Sequence, residues 1–211
     1  LKAKAISVIR YLYADQLDQL PDLKTAMFLD RAQQFQARLG WQVQVDVNGF
    51  ETDEYDAMNP LYVIWQLPDG THGGSMRFLP TTGPVMVNDH FGDLTGGVQI
   101  TSPLIWEVTR FCVSPKVKVT GRVSAALILA GAELGQGFHL NHAVGVFDAR
   151  MVRIYRALGW APDITGTRGD GPDAISVGLW DFQAPPFDKL CARAGLCREV
   201  SQNWFSRAFQ I

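Results

Sequence analysis

Ile105-Trp-Glu-Val-Thr-Arg-Phe-Cys-Val113 is a β-branched and aromatic run that reads as a central strand, yet it carries one acid, Glu107, and one base, Arg110. Burying ionised groups in such a strand is costly unless they are paired or put to use. Side chains alternate along a regular strand, so Glu107 is expected to share a face with Ile105, Thr109 and Phe111, and Arg110 with Trp106 and Cys112. For both charges to serve one cavity, the strand has to be bulged or splayed there. A structural ion pair and a working surface fit this stretch equally well.

Downstream, Ser114–Thr120 leads into a helix from about Gly121 to Leu134, with Thr120 as its cap and Ala125, Ala126, Ile128, Leu129 and Ala132 packing inward. The backbone N–H groups at such a helix start favour anions, for instance a phosphopantetheine phosphate. His139–Phe147 reads as a strand, Asp148–Leu158 as a helix, Pro162–Pro172 as a loop, Ala174–Leu179 as a strand and Pro186–Ala194 as a helix. This alternation predicts an α/β layer architecture.

Upstream, Ala5–Ile9 reads as a short strand. Leu17–Leu39 carries helical spacing through Phe28, Leu29, Ala32, Phe35 and Leu39, with Pro21 near the start and Gly40 ending it. Arg31 and Phe35 lie one turn apart, and Trp41 follows the cap. The acidic loop Gly49–Asp56 sets Glu51, Asp53, Glu54 and Asp56 among Phe50 and Tyr55. Such runs are ordinarily solvated, but a partly buried one suits a cationic ligand. Leu61–Leu67 and Gly74–Leu79 form a hairpin across Pro68-Asp69-Gly70, with Arg77 entering the apolar end Phe78-Leu79-Pro80. Val85–Phe91 is a short irregular or helical piece, and Gly92–Thr101 reads as a mobile loop.

The 211 residues, 47% of them hydrophobic, suit one domain over 1–211. A net charge of -2 gives no global attraction to nucleic acid or anionic membrane. Three cysteines without a CxxC fit reduced thiols in a cytoplasmic protein, and the longest apolar run falls short of a membrane span. The sequence begins at Leu1 instead of Met, which fits a trimmed or missing start. There is no Gly-x-Gly-x-x-Gly, no Walker loop and no nucleophile elbow. His139 and His142 would point to opposite faces of a strand, and no cysteine or carboxylate cluster joins them, so no metal is expected.

The order Arg31-x3-Phe35-x5-Trp41, Glu51-x-Asp53-x2-Asp56, Arg77-Phe-Leu-Pro-Thr-Thr-Gly-Pro84, Phe91 and Glu107-x2-Arg110-Phe111 resembles the LuxI family of acyl-homoserine-lactone synthases. The resemblance runs from about Phe28 to Phe111 and weakens to shape alone beyond. It implies a fold like that of the GNAT N-acyltransferases, a three-layer α-β-α arrangement with a mixed, splayed central sheet. Their acyl-CoA signature is absent around Lys118–Val123.

The implied reaction begins with attack of the amine of S-adenosylmethionine on an acyl thioester, carried by acyl carrier protein or coenzyme A. The methionyl carboxylate then closes the lactone, expelling methylthioadenosine and yielding a quorum-sensing signal. S-adenosylmethionine is thus a consumed substrate, and no cofactor is expected. The resemblance makes Glu107 the candidate base. Asp53 and Asp56 would complement the cation or pair with Arg31, Arg77 or Arg110, and Arg110 could instead hold the substrate carboxylate. Arg31, Phe35, Trp41 and Phe91 would bind S-adenosylmethionine. Ile105, Leu127, Val144, Gly145 and Val146 would line the acyl chain. Lys116, Lys118, Arg122, Arg150, Arg153 and Arg156 would dock an acidic carrier protein, or are simply a solvated face. The alternatives are a GNAT-type acyltransferase acting on another amine and a non-catalytic S-adenosylmethionine-binding module.

Overall fold

A computed structural model describes residues 6–210. Its strands are β1 (Val8–Tyr13), β2 (Leu61–Gln66), β3 (His72–Pro80), β4 (Ile105–Val113), β5 (His142–Asp148), β6 (Asp163–Arg168) and β7 (Ile175–Asp181). They form one mixed sheet in the order β1-β2-β3-β4-β5-β7-β6. Every neighbouring pair is antiparallel except β4 and β5, which the intervening helix α4 (Thr120–Gly137) carries into parallel alignment. That parallel pairing covers only Ile105–Glu107 against His142–Val144. Beyond it β4 stays with β3 and β5 stays with β7, so the sheet opens as a V at Glu107.

Helices cover both faces, which is why β2 is buried along almost its whole length. On one side α4, apolar all round, packs on Ile9, Tyr11, Val63, Met76 and Phe78, with α5 (Ala149–Leu158), α6 (Phe187–Ala194) and α7 (Arg198–Phe209) around it. On the other side lie α1 (Ala14–Leu17), α2 (Pro21–Ala32) and α3 (Met86–His90). There Leu17, Leu23, Met27 and Phe28 bury Tyr62 and Ile64, and Val85, Val87 and Leu94 bury Val144 and Val177.

Several expectations are corrected. β1 starts at Val8 and runs to Tyr13, because Ile9 and Tyr11 are the residues that alternate into the core; Ala5 lies outside the described residues. The Leu17–Leu39 helix is divided into the end of α1, α2 and a π-turn over Gln33–Arg38, and Leu29 is exposed. Thr120 is the first residue of α4 and makes no capping bond; Val119 holds the cap position. The Pro162–Pro172 loop contains β6, an exposed edge strand whose polar sequence carries no alternation. Gly92–Thr101 is anchored by buried Leu94 and by Asn88, whose side-chain amide exchanges two 2.9 Å hydrogen bonds with the backbone of Ile100.

Helix α7 escaped the sequence pattern, yet Phe205 packs edge-on to Tyr11 and against Phe138. Phe205→Ala is expected to remove about 3–5 kcal/mol of stability. Thermal unfolding should register this as a drop in Tm of roughly 6–20 °C.

Candidate active site

Six charged side chains from four segments close into a ring of alternating sign. Arg31 of α2 donates from Nε to Glu51 Oε2 (2.6 Å) and from both terminal nitrogens to Asp56 (2.9 Å each). Arg77 of β3 donates to Asp56 Oδ1 (2.8 Å) and Asp53 Oδ2 (2.9 Å), and from Nε to Thr109 Oγ1 (3.0 Å). Arg110 of β4 closes the ring, its Nη2 lying 2.7 Å from Asp53 Oδ2 and 3.0 Å from Glu51 Oε1. Tyr62 donates its hydroxyl to Asp56 at 2.6 Å. The acidic loop is shaped for this: Asp53 accepts from Tyr55 N and Asp56 N and so caps the single turn Glu54–Ala57.

Burial by itself would lower the Arg31 pKa, but Asp56 and Glu51 hold it above its ordinary value. Burial likewise would raise the Asp56 pKa, but Arg31 and Arg77 pull it well below the usual carboxylate range. Arg31 and Arg77 are each 1% exposed and spend their guanidinium donors inside the ring. Arg110 differs. Its Nε and the Glu51 Oε1 facing it have no hydrogen-bond partner among the described residues.

Arg110 reaches this ring through a bulge. Ser75 pairs with Cys112 and Arg77 with Thr109, so Met76 alone faces both Arg110 and Phe111, and Arg110 takes a φ of 53°. The left-handed backbone costs about 1–2 kcal/mol and breaks the alternation. Thr109 and Arg110 therefore both serve the ring, correcting the expected pairing of Arg110 with Trp106. Phe111 leaves the Glu107 face and packs edge-on to Tyr155 beneath α4.

Glu107 sits at the apex of the V, 1% exposed. Its Oε2 accepts from Met86 N (3.0 Å) and its Oε1 from Val87 N (2.6 Å) at the start of α3. Burial outweighs these two bonds and the nearby Arg77, and the carboxyl is pushed up to about 7. Met86 stands between Glu107 and the opening of the V, a cleft of about 860 Å³. The cleft is bordered by Phe35, Trp41, Arg110, Phe111 and Tyr155. Phe35 and Trp41 stack at 5.2 Å and 6°, brought together by the π-turn and a Trp41 N to Phe35 O bond, and Phe35 also lies under Arg110.

The remaining expected residues divide. Phe91 does not join Phe35 and Trp41; it lies under Arg168 and against the Val85–Val87 cluster. The acyl-lining set does not share one cavity. Val144, Val146 and Ile105 share the α3-side cluster, with Val146 also reaching the cleft, a Cβ at Gly145 would point towards Val108 and Trp180, and Leu127 is fully buried in α4. Lys116, Lys118, Arg153 and Arg156 are exposed. Arg122 is instead committed to the carbonyl of Ala194 at 2.8 Å, tying α4 to α6, and Arg150 pairs with Asp148 at 2.7 Å on the cleft rim. Sequence reasoning did not assign Glu51, Tyr62 or Tyr155. Only Glu51 had a signal, standing two residues before Asp53 in the acidic loop.

A mixed sheet splayed beside a deep cleft, with a carboxylate at the point where it splays, is a fold of the GNAT-like class. A putative N-acetyltransferase from Lactobacillus plantarum aligns at TM-score 0.56 and 15% identity, covering 84% of this chain and 99% of that one. The autoinducer synthase family model matches residues 16–174. An acyl-homoserine-lactone synthase of Rhizobium etli is 37% identical over 202 residues, 92% of this chain and 93% of that protein. The synthase LasI aligns at TM-score 0.74 and 25% identity, covering 90% of this chain and 96% of that one. BjaI, a CoA-dependent acyl-homoserine lactone synthase, aligns at TM-score 0.79 and 20% identity, covering 97% and 100%. The chain belongs to the autoinducer synthase family, the acyl-homoserine-lactone synthases.

The ring makes stability acid-labile. Asp56 has a depressed pKa in the folded state, so its stabilisation is complete above the unfolded value near ~3.9 and is lost as pH falls through the folded one. Arg77→Met leaves Asp53 and Asp56 short of a partner and is expected to cost about 3–5 kcal/mol at neutral pH. Unfolding followed from neutral pH downward should show the variant losing less additional stability than the parent.

Proposed function

We propose that the chain acylates the amine of S-adenosylmethionine from an acyl thioester and then forms the homoserine lactone, releasing methylthioadenosine. Structures of BjaI are described with S-adenosylmethionine and isopentyl-CoA and with methylthioadenosine. Within the family assignment, the observation that carries the reading is Glu107, buried and pushed up to about 7 at the apex of the V, behind Met86. A free α-amine titrates near roughly 7.7–8.0, so a base of this strength is well matched to it. Glu107 takes the amine proton, directly or through one water, as the nitrogen attacks the thioester carbonyl and the thiolate leaves. The methionyl carboxylate oxygen then attacks the carbon beside the sulfonium, and the carbon–sulfur bond breaks.

The ring supports Arg110 as the arginine that meets the substrate. Arg31 and Arg77 are each 1% exposed and hydrogen-bonded to carboxylates, with Arg77 Nε on Thr109, whereas Arg110 borders the cleft and keeps only charge contacts to the ring. Arg110 therefore holds the methionyl carboxylate, and Arg31, Arg77, Asp53 and Asp56 position it. The Phe35–Trp41 stack offers a ring face to the sulfonium, typically ~0.5–2 kcal/mol. The exposed Arg153 and Arg156, with Arg150 on the cleft rim and Lys116 and Lys118 before α4, form a basic approach for an acidic acyl carrier protein or the phosphates of coenzyme A.

Mass spectrometry of purified protein with S-adenosylmethionine and acyl donors is expected to detect both an acyl-homoserine lactone and methylthioadenosine. Glu107→Gln should lower kcat by about 10²–10⁴ while S-adenosylmethionine still binds by calorimetry. The parent's kcat/KM should rise with pH through about 7, and the variant should lose that limb. For folding the sign is reversed: a raised carboxyl pKa weakens the native state as pH climbs from about 4.5 to about 7. Charge reversal at Arg150 and Arg153 should raise the KM for acyl carrier protein in a salt-dependent way.

A further inference from the structure

Beneath the last turn of α2 runs a second buried polar chain, separate from the ring. Asp30, His72 at the start of β3 and Ser75 further along it are 4%, 0% and 2% exposed. His72 Nδ1 lies 2.7 Å from Asp30 Oδ2, and its Nε2 lies 3.0 Å from Ser75 Oγ. A carboxylate only accepts, so Nδ1 carries the ring proton and donates to Asp30, and Nε2 accepts from the Ser75 hydroxyl. Burial lowers the His72 pKa against the pull of Asp30, which favours this neutral form. Acid, histidine and serine in this order make the relay of a hydrolytic triad. Burial keeps any substrate from the Ser75 hydroxyl, however, so the chain is left with holding α2 on the sheet.

What it holds is the segment that presents the aromatic pair. Asp30 and Arg31 are consecutive in an α-helix, so their side chains leave it about 100° apart. One is bound to His72 and the other to Glu51 and Asp56 of the ring. A single anchor would let the helix end roll about it, whereas two in different directions fix its rotation. The backbone carbonyl of Asp30 accepts from the N–H of Gln33, the first residue of the π-turn. Gln34 then donates to the carbonyl of Val113 at 2.9 Å, and Phe35 follows, under Arg110 and stacked on Trp41. A roll of the Asp30 turn is therefore carried into the stack.

We propose that His72 is a positioning residue of the S-adenosylmethionine site, clamping α2 through Asp30 so that the Phe35–Trp41 stack meets the sulfonium. The proposal rests on the synthase reading above and goes beyond it, giving a role to a residue outside both the ring and the lining of the cleft.

The test uses the purified full chain, with S-adenosylmethionine binding followed by calorimetry and lactone formation followed with acyl-coenzyme A and acyl carrier protein donors. In Asp30→Leu/His72→Leu both partners become apolar together, so no buried charge is stranded and Tm should stay near the parent's. Its Kd for S-adenosylmethionine is expected to rise about tenfold, the order of one desolvated cation–aromatic contact. The KM for the acyl donor should stay within about twofold. His72→Asn, whose side-chain amide replaces the Nδ1–H donor to Asp30, should recover most of the lost affinity. Added to Trp41→Ala, the double substitution should change Kd by less than about twofold, because both act on one contact. Where the double variant does not fold, Ser75→Ala frees the far side of the histidine and carries the test with a rise in Kd of about threefold. A folded variant that binds as the parent does, or a loss of affinity as large without Trp41 as with it, overturns the positioning role and leaves the synthase reading standing. A parent that neither binds S-adenosylmethionine nor yields a lactone overturns that reading and the proposal with it.

Discussion

Three guanidinium groups and three carboxylates, buried together beneath α2, make the acceptable form of this site a closed ring. Any one of these charges alone in that place would be expelled or neutralised. Alternation lets each charge neutralise its neighbours, and closure requires α2, the acidic loop, β3 and β4 to stand at the distances seen. The loop is held on the sheet by this ring, by the hydroxyl of Tyr62 and by Tyr55 and Phe50, which pack into the apolar clusters on that face. The weak links are at Arg110, whose contacts with Glu51 and Asp53 are charge contacts without a hydrogen bond among the described residues. The ring thus holds Arg110 at the border of the cleft, with its Nε buried and unpartnered among the described residues.

Two departures from regular sheet geometry build the rest of the site. Parallel pairing between β4 and β5 ends after three residues, which opens the V, and the bulge at Arg110 turns that residue from the α4 side to the ring. Glu107 and Asp56, both carboxylates and both largely withdrawn from water, then fall to opposite sides of their ordinary titration range. Asp56 has two arginines bonded to it, whereas Glu107 has two backbone N–H groups and an apolar surround. The same residue chemistry thus yields a permanent anion in one place and a proton acceptor near neutrality in the other. On the α4 side the aromatic packing of Phe111, Phe147, Tyr155 and Trp180 forms the floor of the V, so one strand carries the polar chemistry on one face and the apolar wall on the other.

Much of this was legible in the sequence. The strand read over Ile105–Val113 has those same limits, and the hairpin across Pro68–Gly70 is present with its strands in the expected order. Asp148 and Gly159 mark the two ends of α5, because capping chemistry is local and visible in residue type. The charged and aromatic positions from Arg31 to Arg110 were visible as a set through their resemblance to the LuxI family, since taken singly each also suits a structural role. Edge strand β6 and helix α7 were not, because their residues carry weak alternation and are ordered by neighbours distant in the chain.

The sequence by itself determined which residues are charged, which segments alternate and where α5 begins and ends, all properties of stretches shorter than about 20 residues. It also placed Glu107 and Arg110 in one strand and showed that serving one cavity would require a break in that strand. Only the tertiary structure decided which carboxylate each ring arginine meets, that among these three only Arg110 has an Nε without a partner among the described residues, and that Val144 and Leu127 lie on opposite sides of the sheet. The reason is physical: ion pairing and burial depend on distances between segments 20 to 80 residues apart, and a single left-handed residue at the bulge reverses the facing of every side chain beyond it.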